Sequence, residues 1–127
     1  MSELNIVAID DDDITLEIIK SILEESLDAF VFTFSRSKQA REFLVKQSPE
    51  TLQLIISDQN MPEYNGLTLL KMCNAVELNV PFILLTADAS RETVVKAKQL
   101  GIDGYIAKPI NKNNLIAKVK DVLQLPK

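Results

Sequence analysis

The chain has 127 residues, 46% of them hydrophobic and 25% charged, which suits one domain across 1–127 with its own core and leaves little for a second. A formal net charge of −4 speaks against a nucleic-acid surface, which would present a basic stripe. No apolar run approaches the roughly 20 residues needed to cross a bilayer, and the first residues do not read as a basic-then-apolar signal. The expectation is a cytoplasmic protein with no direct nucleic-acid or membrane partner. Histidine is absent, so chemistry here must run on carboxylates, lysine, hydroxyls and a hard cation. The one cysteine, Cys73, has no internal disulfide partner and sits in an apolar helical pattern, as a buried small hydrophobe does.

In chain order, "NIVAI" (5–9) is a short continuous apolar run, the pattern of a strand buried on both faces. It leads straight into Asp10, Asp11, Asp12 and Asp13. One of these can cap a following helix. The others repel one another, and at the end of a buried strand each is costly to ionise unless a cation sits among them. The run therefore asks for a metal.

Ile14, Ile18 and Ile22, with Ile19 and Leu23, have the spacing of an amphipathic helix. "AFVFTF" (29–34) is a second strand, followed by helical spacing at Ala40, Phe43 and Leu44. "LQLIIS" (52–57) is a third strand ending at Asp58, and "MPEYNG" is a turn with Pro62 and Gly66 as its turn residues. Leu67, Leu70 and Cys73 mark a third helix, and "PFILLT" (81–86) a fourth strand ending in a hydroxyl. A helix over 90–100 buries Ala97 and Leu100, "YIA" (105–107) is a fifth strand, and 111–125 closes as a helix with Leu115, Val119 and Val122 on one face. Five strand–helix alternations with short loops predict an α/β doubly wound parallel sheet with helices on both faces. Ligands bind such sheets at the carboxyl ends of the strands. Asp10, Asp11, Asp58, Thr86 and Lys108 all fall there, so carboxylates, a hydroxyl and an ammonium converge on one crevice.

Those residues, with "LIISDQNMPEYNGLTLL", "LLTAD" and "GIDGYIAKP", make the chain resemble a response regulator receiver domain of two-component signalling, of the chemotaxis-receiver kind, over essentially its whole length. The resemblance implies a flavodoxin-like five-stranded sheet in the order 2-1-3-4-5. It implies that Asp58 accepts a phosphoryl group from a phosphohistidine on a histidine kinase or histidine phosphotransfer protein. It implies Mg²⁺ (or Mn²⁺) held by Asp11, Asp58 and the backbone carbonyl of Asn60, with Asp10 close by or acting through water. Lys108 would pair with Asp58 and then with a phosphoryl oxygen, and Thr86 would donate to another. The family tends to place a cis peptide at the bond corresponding to Lys108–Pro109. Asp12 and Asp13 are left to cap the first helix and complement its dipole.

The resemblance also implies a switch in which Thr86 moves toward the phosphoryl group and Tyr105 fills the space it leaves. The reporting surface for a downstream protein target is then the fourth helix, fifth strand and closing helix. Val94 and Val95 are adjacent and cannot both be fully buried; the resemblance favours Val94 as a partner contact. Asn60 and Asp88, two residues beyond Asp58 and Thr86, are where the family tunes hydrolysis, and self-dephosphorylation is expected to be relatively quick. Such a protein is a signalling receiver and catalyses only its own phosphorylation and dephosphorylation. Three departures bear on loop shape and kinase preference. "FTFSRSKQA" lacks the family's common glycine, Gln59 stands at a usually apolar position, and Glu63 stands where glycine is frequent.

Two rival readings come from other classes. "DDDIT" (11–15) also resembles the first motif of haloacid dehalogenase-type phosphohydrolases, with Asp11 as nucleophile and Asp13 as acid/base. Only Asp121 follows Lys108, however, where that family needs metal-binding acids on a strand. The acids also lack the glycine and closing glutamate of a calcium hand. The third possibility is a receiver-like interaction module that is not phosphorylated, against which the intact set of site residues speaks. "MSELN" reads as a natural start, and no output segment follows residue 124, so a free-standing receiver that signals by binding is expected alongside a receiver cut from a longer chain.

Overall fold

The computed structural model describes residues 4–87 and 90–126. Strands and helices alternate as β1 (Leu4–Ile9), α1 (Asp13–Leu27), β2 (Ala29–Phe34), α2 (Ser37–Leu44), β3 (Leu54–Asp58), α3 (Gly66–Ala75), β4 (Phe82–Thr86), α4 (Arg91–Gln99), β5 (Gly104–Ala107) and α5 (Lys112–Leu123). All strand pairs are parallel and the order is β2-β1-β3-β4-β5. The third strand is shifted relative to the sequence expectation: pairing begins at Leu54 and Asp58 is its last residue.

Strand residues alternate between two cores, as the two-residue period of a pleated strand requires. Val7, Ile9, Ile55 and Leu84 point to the layer of α2, α3 and α4. Ile6, Ala8, Leu54, Ile56, Ile83 and Leu85 point to the layer of α1 and α5. Both faces are covered, so the strands read as unbroken apolar runs. Leu115 and Val119 of α5 are buried and Val122 packs against the same cluster, as their spacing predicts.

The face of α1 differs from the sequence expectation. Its buried stripe is Leu16, Ile19 and Leu23, whereas Ile14 is 72% exposed and Ile18 42%. At about 100° per residue, Ile14 lies about 200° round the helix from Leu16, so packing one stripe on the sheet turns the other outward. The acidic run is divided sharply. Asp12 is the N-cap, its carboxylate accepting from the Ile14 amide at 3.1 Å, and Asp13 is the first-turn acid.

Candidate functional site

The strand order reverses between β1 and β3, the two central neighbours, and parallel α/β sheets open a crevice at that place. Ile9 pairs with Ser57, so Asp10 and Asp58, one residue further on in each strand, arrive level with each other. Asp10 is fully buried, Asp58 nearly so, and Asp11 is exposed at the mouth. Oxygens of these three carboxylates all lie within 4.8 Å of one another. Thr86 is buried at the end of β4, one residue past Leu85, which is level with Asp58. The Lys108 amide donates to the Thr86 carbonyl at 2.9 Å, which carries the lysine to the same edge. Its Nζ stands 2.9 Å from Oδ2 of Asp10 and 3.3 Å from Oδ1 of Asp58. The Lys108–Pro109 peptide is cis.

Burial, and after it the charge of Asp10, push the Asp58 carboxyl above its ordinary range, and Lys108 only partly offsets them. Burial alone would pull the Lys108 ammonium down, but Asp10 and Asp58 outweigh it and the net shift is upward. Lys108 is therefore charged at neutral pH, with Asp10 and Asp58 as its ion-pair partners. Oδ1 of Asp10 accepts from the Asp12 amide at 2.9 Å. Oδ2 is buried without an aligned hydrogen bond among the described residues, although its ion-pair partner is near. A buried carboxylate oxygen short of donors, grouped with two more carboxylates, fits a hard divalent cation that takes oxygen ligands.

The loop after β3 is held by residues whose part the sequence did not reveal. Gln59 accepts from two amides of α3, Gly66 at its main-chain carbonyl (3.1 Å) and Leu67 at its side-chain oxygen (3.0 Å). Gly66 is the first residue of α3, not a turn glycine, and a Cβ there would meet the Asp58 carbonyl oxygen at 2.6 Å. The left-handed position in the turn belongs instead to Glu63 (φ 73), whose carboxylate lies 3.4 Å from Lys38. Ser37, at the start of α2, donates to the Pro62 carbonyl (2.7 Å) and accepts from the Tyr64 amide (3.0 Å). Gln59 is visible in the sequence only as a polar residue at a usually apolar place. Ser37 carries no sequence signal at all, because its partners are more than 20 residues away.

Asn60 is exposed at the start of this loop. Asp88 lies outside the described residues. Tyr105 is 39% exposed and lines a cavity of about 440 Å³ with Ala107, Asn114, Lys118 and Asp121. Of the adjacent valines on α4, Val94 is half-buried and Val95 exposed. The sequence reading favoured Val94 as the contact, whereas Val95 offers more surface. Ser90 caps α4.

The response regulator receiver domain family matches residues 6–120. The chain belongs to that family. This receiver is 31% identical over 122 residues to a chemotaxis protein CheY homolog of Campylobacter jejuni, covering 94% of this chain and 92% of that one. It is 30% identical over 121 residues to a two-component response regulator of Arabidopsis thaliana, covering 95% of this chain but only 19% of the plant protein. Among solved structures it is similar to a CheY-like receiver domain protein from Methanospirillum hungatei, with 28% identity, a TM-score of 0.86, and coverage of 97% of this chain and 95% of that one. Its receiver fold therefore serves two-component signal transduction. No helix among the described residues is long and apolar enough to cross a membrane.

Proposed function

We propose that this receiver, a single domain over residues 1–127, takes a phosphoryl group from a partner phosphohistidine onto Asp58 in a cation-dependent step and thereby switches a protein-binding surface. The observation that carries this reading is the grouping of three carboxylates at the strand-order reversal, two of them paired with one lysine. An oxygen of Asp58 attacks phosphorus, the P–N bond to the imidazole breaks, and an acyl phosphate results. Asp10, Asp11, Asp58 and the Asn60 carbonyl would hold Mg²⁺ or Mn²⁺, which when bound would supply charge neutralisation for the incoming group. Lys108 moves its ammonium from Asp58 to a phosphoryl oxygen and keeps Asp10 as its anchor. The Thr86 hydroxyl donates to another oxygen. Both contacts strengthen as negative charge develops, which is the condition for lowering the barrier. Hydrolysis of the acyl phosphate, tuned from Asn60 and Asp88, returns the carboxylate and inorganic phosphate.

The partners in this reading are a histidine kinase or histidine phosphotransfer protein and a downstream target at the face of α4, β5 and α5, in the cytoplasm. Tyr105 on that face, level with Leu84 in the β4–β5 pairing and so two residues before the level of Thr86, supplies the element with two arrangements that a switch needs. The test is peptide-mapped mass spectrometry after incubation with a small-molecule phosphodonor, with and without Mg²⁺. A magnesium-dependent adduct on Asp58 that Asp58→Asn abolishes is the expected result. An adduct on Asp11 would revive the phosphohydrolase reading. No adduct from either this donor or a phosphohistidine donor would leave an interaction module.

A further inference from the structure

The first turn of a helix presents amides with no intrahelical acceptor, and in α3 those of Gly66 and Leu67 are taken by one residue outside the helix. Asn65, the N-cap, accepts from Thr68 at 2.8 Å. The Gly66 and Leu67 amides go to the main-chain and side-chain oxygens of Gln59. Gln59 is itself held, its amide donating to the Leu85 carbonyl at 2.9 Å, and it follows Asp58 directly. The start of α3 lies so close to the Asp58 carbonyl that no Cβ fits at Gly66. The far end of the same loop is pinned by Ser37 at Pro62 and Tyr64. Asn60 is the first residue between these two anchors.

We propose that Gln59 is a positioning residue: its side-chain oxygen clasps the first turn of α3 against the Asp58 backbone and so sets the main chain at Asn60. The inference rests on the proposed function, which assigns the Asn60 carbonyl to the cation. A backbone carbonyl has no rotamer of its own. Its direction is fixed by the dihedrals on either side, and these are set by whatever closes the loop. Removing the side-chain acceptor leaves the Leu67 amide without its partner and frees one end of that closure.

The test uses the full chain, well below its melting temperature. Gln59→Met keeps length and volume and removes the acceptor. It is expected to raise the Mg²⁺ dissociation constant, read by titration calorimetry, about tenfold, as loss of an outer-shell support does. It should also speed hydrogen exchange at the Leu67 amide. Gln59→Glu retains an acceptor and should return Leu67 protection to the wild-type level. A role in helix capping alone would lower the melting temperature and leave the Mg²⁺ constant of the folded protein unchanged; that result overturns the proposal. Unchanged Leu67 exchange in Gln59→Met overturns the clasp. If the wild type itself binds no Mg²⁺ while Leu67 protection still depends on Gln59, the cation reading is what fails, and the positioning role falls with it.

Discussion

Lys108 stands closer to Asp10 than to Asp58, at 2.9 against 3.3 Å. The fully buried acid is thus the nearer partner of the lysine and the less buried one the more distant. Lys108→Met would leave the fully buried acid uncompensated. Because the lysine side chain keeps 22% exposure, the loss should fall below that of a fully buried pair, at about 2 kcal/mol at pH 7. A divalent cation should restore part of it. Urea denaturation in chelator and in Mg²⁺ reads both; a variant as stable as wild type in chelator would show that the pair contributes nothing net.

Gly66→Ala tests how close α3 comes to the end of β3 at Asp58. The added Cβ would meet the Asp58 carbonyl oxygen and a Leu84 methyl, each at 2.6 Å, and the oxygen is main chain and cannot rotate away. A cost of about 1–3 kcal/mol is expected, the range for overpacking, with weakened Mg²⁺ binding because Asp58 must shift. Thermal melts and calorimetry check the two parts separately.

The edge strand β2 supplies a pH prediction. Glu24 on α1 accepts from the Val31 amide at 3.1 Å and pairs with Lys20 at 2.9 Å, while Lys20 donates to the Val31 carbonyl at 3.3 Å. One side-chain pair thus satisfies an outward-facing donor and acceptor of an edge strand, a place where unpaired groups invite strand addition. The Lys20 hydrogen bond first, and the Val31 amide second, hold the Glu24 carboxyl below its ordinary value of 4.5. A carboxyl lowered by folding stabilises the fold at pH values above that ordinary value, and the gain is lost as pH falls through the folded-state value. Wild type should therefore exceed Glu24→Ala in urea midpoint at pH 7, by a modest margin because the pair is solvent-accessible. The margin should shrink on acidification below pH 4.5; one that stayed constant to pH 3 would contradict this assignment.

Cys73 is buried and free, and burial pushes its thiol up to about 11. At pH 8 the reactive thiolate is scarce and shielded. A chromogenic disulfide reagent should label the native protein far more slowly than the urea-unfolded chain. Equal rates would place the thiol at the surface.

Much of the site was legible because it is written in local patterns. Apolar runs of strand length ending at Asp10, Asp58 and Thr86 require only a two-residue period and chain order, and a parallel sheet brings such ends together without fine adjustment. Even the division of the four aspartates follows from position, since the residue before the first helical turn caps it. α1 was harder, because the stripes through Ile14 and Ile18 and through Leu16, Ile19 and Leu23 both have helical spacing. Only packing against the sheet chose between them.

The sequence by itself determined the strand–helix alternation, the doubly wound class and the set of residues that meet at the strand ends, because each depends on neighbours along the chain. The tertiary structure alone decided that Lys108 lies nearer Asp10, that Gln59 holds α3 and Ser37 holds the turn, and that Val95 is more exposed than Val94. These depend on distances of a few ångströms between segments brought together by folding, and no periodicity along the chain encodes a distance across it.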